Sequence, residues 1–192
     1  MNRTLLMFAM FCSASTFAQS PVPVINNADI DGSGAQYQGN FAVNQAAGDL
    51  QQQANARAIA AGHNASATTE IRQRLRTIVD PNMDARSSIQ GDSFSHGNGA
   101  LGVNQSAGAS NQQANALRIS TSAQPQSIDD SVLMQQNVTL LYNSDPTDSA
   151  PGYRQVTTSD QAFTGSRGLI QLNQSAGVGN RMANTLSVRV VD

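Results

Sequence analysis

Residues Val103 to Ile119 read VNQSAGASNQQANALRI, and this stretch decides the fold because the chain carries it three times. Val43 to Ile59 read VNQAAGDLQQQANARAI and Leu172 to Val188 read LNQSAGVGNRMANTLSV, at offsets of 60 and 69 residues and with no gap inside the unit. Identical in all copies are Asn44/Asn104/Asn173, Gln45/Gln105/Gln174, Ala47/Ala107/Ala176, Gly48/Gly108/Gly177, Ala54/Ala114/Ala183 and Asn55/Asn115/Asn184. A unit this short cannot bury a face alone. It must stack on its own kind, within a chain or between chains.

Within a unit the pattern reads strand, tight turn, strand. Leu101, Val103 and Gln105 alternate with Gly102 and Asn104, and Ala107-Gly108 supplies the bend, because glycine tolerates positive φ. A second strand from about Asn111 puts Gln113, Asn115, Leu117 and Ile119 on one face and Ala114, Ala116 and Arg118 on the other. Met182, Asn184, Leu186 and Val188 keep that parity in the third unit; Arg57 interrupts it in the first. A helix is the rival, since QQQANARAIA has good helical propensity and no proline. The ending LSVRVV favours strand, and equivalent units share one structure. The expected fold is all-β: a repeat protein of stacked strand-turn-strand units in a β-solenoid or cross-β arrangement, with irregular linkers.

The expected organisation is a signal peptide (1–18), a lead segment (19–38), repeat one (39–60), a linker (61–96), repeat two (97–120), a linker (121–164), and repeat three with the C-terminus (165–192). Arg3, the apolar run Leu5 to Phe11 and Thr16-Phe17-Ala18 have the form of a secretory signal, and cleavage after Ala18 removes the only cysteine, Cys12. Pro81, Pro125, Pro146 and Pro151 fall in the linkers and none in the repeats, as ladder hydrogen bonding requires. The repeats are therefore expected to form the ordered core and the linkers to be comparatively mobile. Glu70 to Val79 reads as helix or strand, and Val132 to Tyr142 as strand.

Charged residues are 12% of the chain, aromatics 5%, tryptophan is absent and the formal net charge is −2, which is too little charge and bulk for a conventional domain. Such Gln-, Asn-, Ser-, Ala- and Gly-rich chains are instead prone to β-stacking. Catalytic and metal patterns are weak. Gly97 to Gly102 (GNGALG) matches a dinucleotide-binding string, but no acidic residue follows in 111–120 to hold a ribose. Asp29 to Gly34 (DIDGSG) resembles the start of a calcium loop whose closing carboxylate would fall on Asn40. His63 and His96 lack neighbouring ligands. Arg72, Arg74 and Arg76 could make one basic strand face, with no aromatic platform beside it for a nucleic acid. The reading is no enzyme, no cofactor, no metal, no specific nucleic acid and no small-molecule substrate.

The amides carry the functional expectation. In a stack, equivalent Asn and Gln side chains can hydrogen-bond up and down as ladders, each satisfying the donors and acceptors of the next. The candidate self-assembly ladder is Asn44, Gln45, Asn55, Asn104, Gln105, Asn115, Asn173, Gln174 and Asn184, with Gly48, Gly108 and Gly177 as repeat turns.

Gly39 to Ile59, Gly99 to Ile119 and Gly168 to Val188 carry a string that resembles the repeats of Fap-type functional amyloid subunits of biofilm-forming bacteria. Signal, three repeats and two dissimilar linkers resemble that family's organisation too. The resemblance implies a secreted subunit that passes an outer-membrane export pore and polymerises, with itself and homologous subunits, into a cell-surface fibril. Three repeats and short linkers imply the minor or nucleating kind. The rivals are a secreted monomeric β-solenoid adhesin and a periplasmic accessory or chaperone factor for fibril assembly.

Overall fold

The computed structural model describes residues 24–78, 82–122, 139–141 and 152–191. The chain winds through three turns of three strands each, and we call each turn a rung. Rung 1 holds β1 (Val24–Asp31), β2 (Gln38–Ala47) and β3 (Gln52–Gly62). After a short β4 (Arg76–Ile78), rung 2 holds β5 (Met83–Gln90), β6 (Asn98–Ala109) and β7 (Gln112–Ser122). After β8 (Thr139–Leu141), rung 3 holds β9 (Arg154–Thr158), β10 (Arg167–Val178) and β11 (Arg181–Val191). Among the described residues there is no helix, so the all-β expectation holds. Equivalent strands of successive rungs pair in parallel as β1-β5-β9, β2-β6-β10 and β3-β7-β11, and β4 pairs with β8. The sequence repeat sets the register: Asn44, Asn104 and Asn173 are direct partners, as are Asn55, Asn115 and Asn184.

The sheet β1-β5-β9 corrects one expectation. Its strands come from the lead segment and from both linkers, so order is not confined to the repeats. They escape a pattern search because MDARSSIQ, VINNADID and RQVTT share almost no residues. What places them is the neighbouring sheet. Ile30 and Ile89 pack against Leu101 and Val103, and Ala28 and Ala85 against Ala107. The odd-numbered residues of β6 thus face this first sheet. Its even-numbered residues face the sheet of β3, β7 and β11, where Asn104 donates to Ala54 O and Ser106 to Gln51 Oε1.

The outer face of that third sheet is covered by the first linker. Residues 65–75 run extended, burying Ala67, Thr69, Ile71, Gln73 and Leu75 and exposing the residues between. Ile71 packs on Ala114 and Ala116, and Gln73 Nε2 donates to Gln52 O and Gln113 O. Alternation at period two, not a helical stripe, settles the ambiguous Glu70 to Val79 segment as extended over its described part. Arg72, beside Glu70, and Arg74 lie on its outer side. The signal segment, Cys12, the four linker prolines and all of Val132 to Tyr142 except 139–141 lie outside the described residues.

Corners recur with the strands. Left-handed backbone returns at Gly34, Phe94 and Phe163 (φ 72, 58 and 62°) and at Leu50, Ser110 and Gly179 (φ 56, 57 and 70°). Repeating this conformation keeps the rungs superimposable, although it disfavours non-glycine residues. The expected bend at Gly108 also shifts: β6 continues to Ala109 and the chain turns at Ser110-Asn111.

Candidate functional site

A parallel strand buried on both faces normally reads as a run of large apolar residues. In rung 2, Asn104, Gln105, Ser106, Gln112 and Gln113 are instead wholly buried. Each buried amide must then find protein partners for its two N–H groups and its carbonyl. Asn104 finds all of them. Its Nδ2 donates to Asn44 Oδ1 at 2.9 Å and to Ala54 O at 2.9 Å; its Oδ1 accepts from Asn173 Nδ2 at 2.9 Å and Asn115 Nδ2 at 3.0 Å.

The structure brings all nine candidate amides into three columns. Asn115 Nδ2 donates to Asn55 Oδ1 at 3.0 Å, and Asn184 Nδ2 to Asn115 Oδ1 at 3.1 Å. Because 44 and 55 face one another across the sheets, these two columns are zipped: Asn55, Asn115 and Asn184 donate to Asn44, Asn104 and Asn173 of their own rungs at 2.8, 3.0 and 3.0 Å. The Gln column lies on the opposite face of β2, β6 and β10. Gln105 Nε2 donates to Gln45 Oε1 at 2.8 Å, and Gln174 Nε2 to Gln105 Oε1 at 2.9 Å. Gln105 also donates to Ala28 O and Ser88 O, tying the first sheet to the second. In these three columns every side-chain to side-chain bond between rungs runs the same way, from an amide nitrogen to the carbonyl oxygen of the rung before it. The stack is therefore polar.

Gly48, Gly108 and Gly177 form a fourth column, with φ of 96, 108 and 119°. A Cβ on Gly48 would lie 2.0 Å from Gly108 O, and one on Gly108 2.0 Å from Gly177 O. Gly108→Ala is expected to destabilise the chain by roughly 2–4 kcal/mol, from backbone strain and from forcing rungs apart. Urea unfolding followed by far-UV circular dichroism measures this.

The weaker motifs dissolve into packing. Gly97 sits under the Tyr37 ring and Gly99 against the Gly39 backbone. Asp29 lies in β1, where its Oδ1 accepts from Ser88 Oγ and Gln90 Nε2.

Both ends of the stack are open. Among the described residues, β1, β2 and β3 pair on one side only, and so do β9, β10 and β11 on the other. Among the described residues, the exposed large apolar side chains belong to these same two rungs: Val24, Ile25, Leu50 and Ile59 in rung 1, and Tyr153, Val156, Ile170, Val188 and Val190 in rung 3. Rung 2 contributes none, its Leu101 and Leu117 being buried.

Residues 11–191 match the functional amyloid protein FapB/FapC family. The chain belongs to that family. It is similar to functional amyloid subunit FapC of Pseudomonas aeruginosa, 38% identical over 109 residues, which is 51% of this chain and 31% of that relative. The match thus spans less than a third of the curated relative's length. No solved structure matches the fold. FapB/FapC is a family of structural amyloid proteins rather than enzymes, and the amide columns are the feature of this member that fits such a role.

A further amide column went unread in the sequence. Gln51, Asn111 and Asn180 follow the left-handed corner residue in each rung, and Asn111 joins Ala107 O and Gly177 O to the Asn180 amide. The signal was available, since an amide stands three residues after Gly48, Gly108 and Gly177 in every copy. Masking came from the variable residues between.

Proposed function

We propose that the protein is a secreted, self-assembling subunit of an extracellular biofilm-matrix fibril, of the minor or nucleating kind, leaving the cell through an outer-membrane export pore. The observation that carries self-assembly is that each end of the stack is an unfinished rung: an unpaired strand edge, apolar side chains in water, and polar amide columns. Such edges are templates for a further strand. Rung 3 offers carbonyl oxygens and rung 1 amide nitrogens, so a second copy completes both ends only when added head to tail. A heterologous junction that does not close on itself produces an open filament. Export is supported by Arg3, Leu5 to Phe11 and Thr16-Phe17-Ala18; the minor or nucleating role by three repeats and short linkers.

Purified chain 19–192 is expected to fibrillate in a concentration-dependent way, with a cross-β spacing near ~4.7 Å, and to shorten the lag of a homologous major subunit at substoichiometric amounts. A chain that stays monomeric at every concentration points instead to the solenoid adhesin, and one that delays the other subunit points to the accessory factor.

Arg57 offers a second test. It occupies the column of Leu117 and Leu186 and reaches back to donate to Phe41 O. Burial lowers its pKa from the ordinary guanidinium value, so enclosure disfavours the charged form present at neutral pH. The next copy's Leu186 would enclose it further. Arg57→Leu is expected to speed elongation by roughly three- to tenfold, by removing a charge that each junction must desolvate; seeded growth at fixed monomer concentration measures it.

A further inference from the structure

The corner between the first and second strands holds a column whose members differ. Positions 34, 94 and 163 share left-handed backbone, with φ of 72, 58 and 62°, but carry glycine, phenylalanine and phenylalanine. Phe94 and Phe163 stack with ring centroids 5.4 Å apart and planes 19° apart. Rung 1 has no ring in this column. A Cβ on Gly34 would lie 2.6 Å from Phe94 Cδ1 and 3.2 Å from Phe41 Cε1, so no side chain fits there. Beside Gly34 lies a cavity of about 300 Å³, lined by Ile30, Gly34, Phe41, Val43 and Phe94 together with polar neighbours. Phe41 helps to wall it, with its ring 6.5 Å from that of Phe94.

We infer that this cavity is the seat of the Phe163 ring of a second copy of the chain, and that it fixes the register of the fibril junction. The inference rests on the self-assembly reading and names the contact that reading leaves open. Continuing the observed register, with rung 1 of one copy stacked on rung 3 of the next, sets Asn44 on Asn173, Gln45 on Gln174 and Val43 on Leu172. The same alignment sets Gly34 on Phe163. Phe163 is half-buried on its own chain, packed against the cluster of Leu101 and Phe94, so part of its surface is left for a neighbour. At the junction, glycine on the rung 1 side meets an aromatic ring on the rung 3 side, whereas within the chain ring stacks on ring. A shift of one residue along the strands would set Phe163 beside the seat rather than over it, and would also turn every ladder amide to the wrong face.

The decisive experiment uses fibrils grown from an equimolar mixture of two full-length preparations, one labelled with ¹³C only in phenylalanine rings and the other with ¹⁵N only in glycine. Solid-state NMR is expected to show a cross-peak from the Gly34 nitrogen to a phenylalanine ring, which is intermolecular by construction. It is expected to vanish when the ring-labelled chain carries Phe163→Leu. Fibrils that lack the cross-peak, or keep it in Phe163→Leu, overturn the seat and leave self-assembly standing. Failure to form fibrils at any concentration overturns both. Elongation from wild-type seeds gives an independent reading. Phe163→Ala is expected to slow it by up to roughly tenfold, the scale of a lost aromatic pair, with Phe163→Leu nearer to wild type. Equal rates for Phe163→Ala and wild type overturn the seat.

Discussion

Asn104→Asp is expected to cost about 3–5 kcal/mol at pH 7, the usual penalty of a buried charge without a partner. The substitution is nearly isosteric, so packing is kept and only the hydrogen bonding changes. A carboxylate has no N–H to give to Asn44 Oδ1 or Ala54 O, which Asn104 now serves, and repulsion between acceptors replaces two bonds. The site is wholly buried, so water cannot compensate. Burial without a cation raises the carboxyl pKa in the folded state above its unfolded value of about 3.9. The protonated form therefore favours folding. Stability is highest below the unfolded pKa and falls as pH rises through and above it, until the folded pKa is reached. Fibril growth of the variant should be largely lost at pH 7 and partly recovered below about pH 4, where one O–H can again donate down the column. Chemical denaturation and seeded growth across pH check both parts. Wild-type growth at pH 7 would mean that these amides are not enclosed.

Replacing Met83 to Gln90 by a Gly/Ser spacer of equal length is expected to abolish the stack, although the repeats remain intact. Loop closure alone argues the opposite, since each doubling of a flexible linker costs only about 0.6 kcal/mol. The packing decides. β5 lies between β1 and β9, and its removal leaves both without their partner. Ile89 is wholly buried beside Leu101 and Val103, and a side chain of that kind contributes roughly 1.5–3 kcal/mol. The spacer no longer holds in place a hydroxyl at position 87 to donate to Gln105 Oε1, or the carbonyl at position 88 that accepts from its Nε2. The spacer variant is expected to show weak β-structure by circular dichroism and no growth on wild-type seeds. A spacer in place of the described residues 65–75 removes only the cover over the third sheet and is expected to be milder. Hydrogen exchange should report protection at Ala85 to Ile89 comparable with that at Val103 to Asn115.

The sequence by itself determined the in-register parallel stack. Six identities recurring without a gap leave only one alignment in which like meets like, and Asn and Gln demand that alignment because an amide is best satisfied by another amide one strand away. It also determined that Gln113, Asn115, Leu117 and Ile119 share one face of their strand. Only the tertiary structure decided the rest. The strands β1, β5 and β9 have no repeated motif, because their inward positions are filled by small or mixed residues chosen to fit β2, β6 and β10. The cover at Ala67 to Leu75 exists because Ala114 and Ala116 present an apolar outer face to it. The empty place at Gly34 shows itself only when three corners of unlike sequence are superimposed. Identical residues pair through hydrogen bonds that recur at the 60- and 69-residue offsets of the repeat, which a sequence can display. Unlike residues, such as Ile89 with Leu101 or Ile71 with Ala114, meet at no common offset, and shape selects those contacts once the chain has wound.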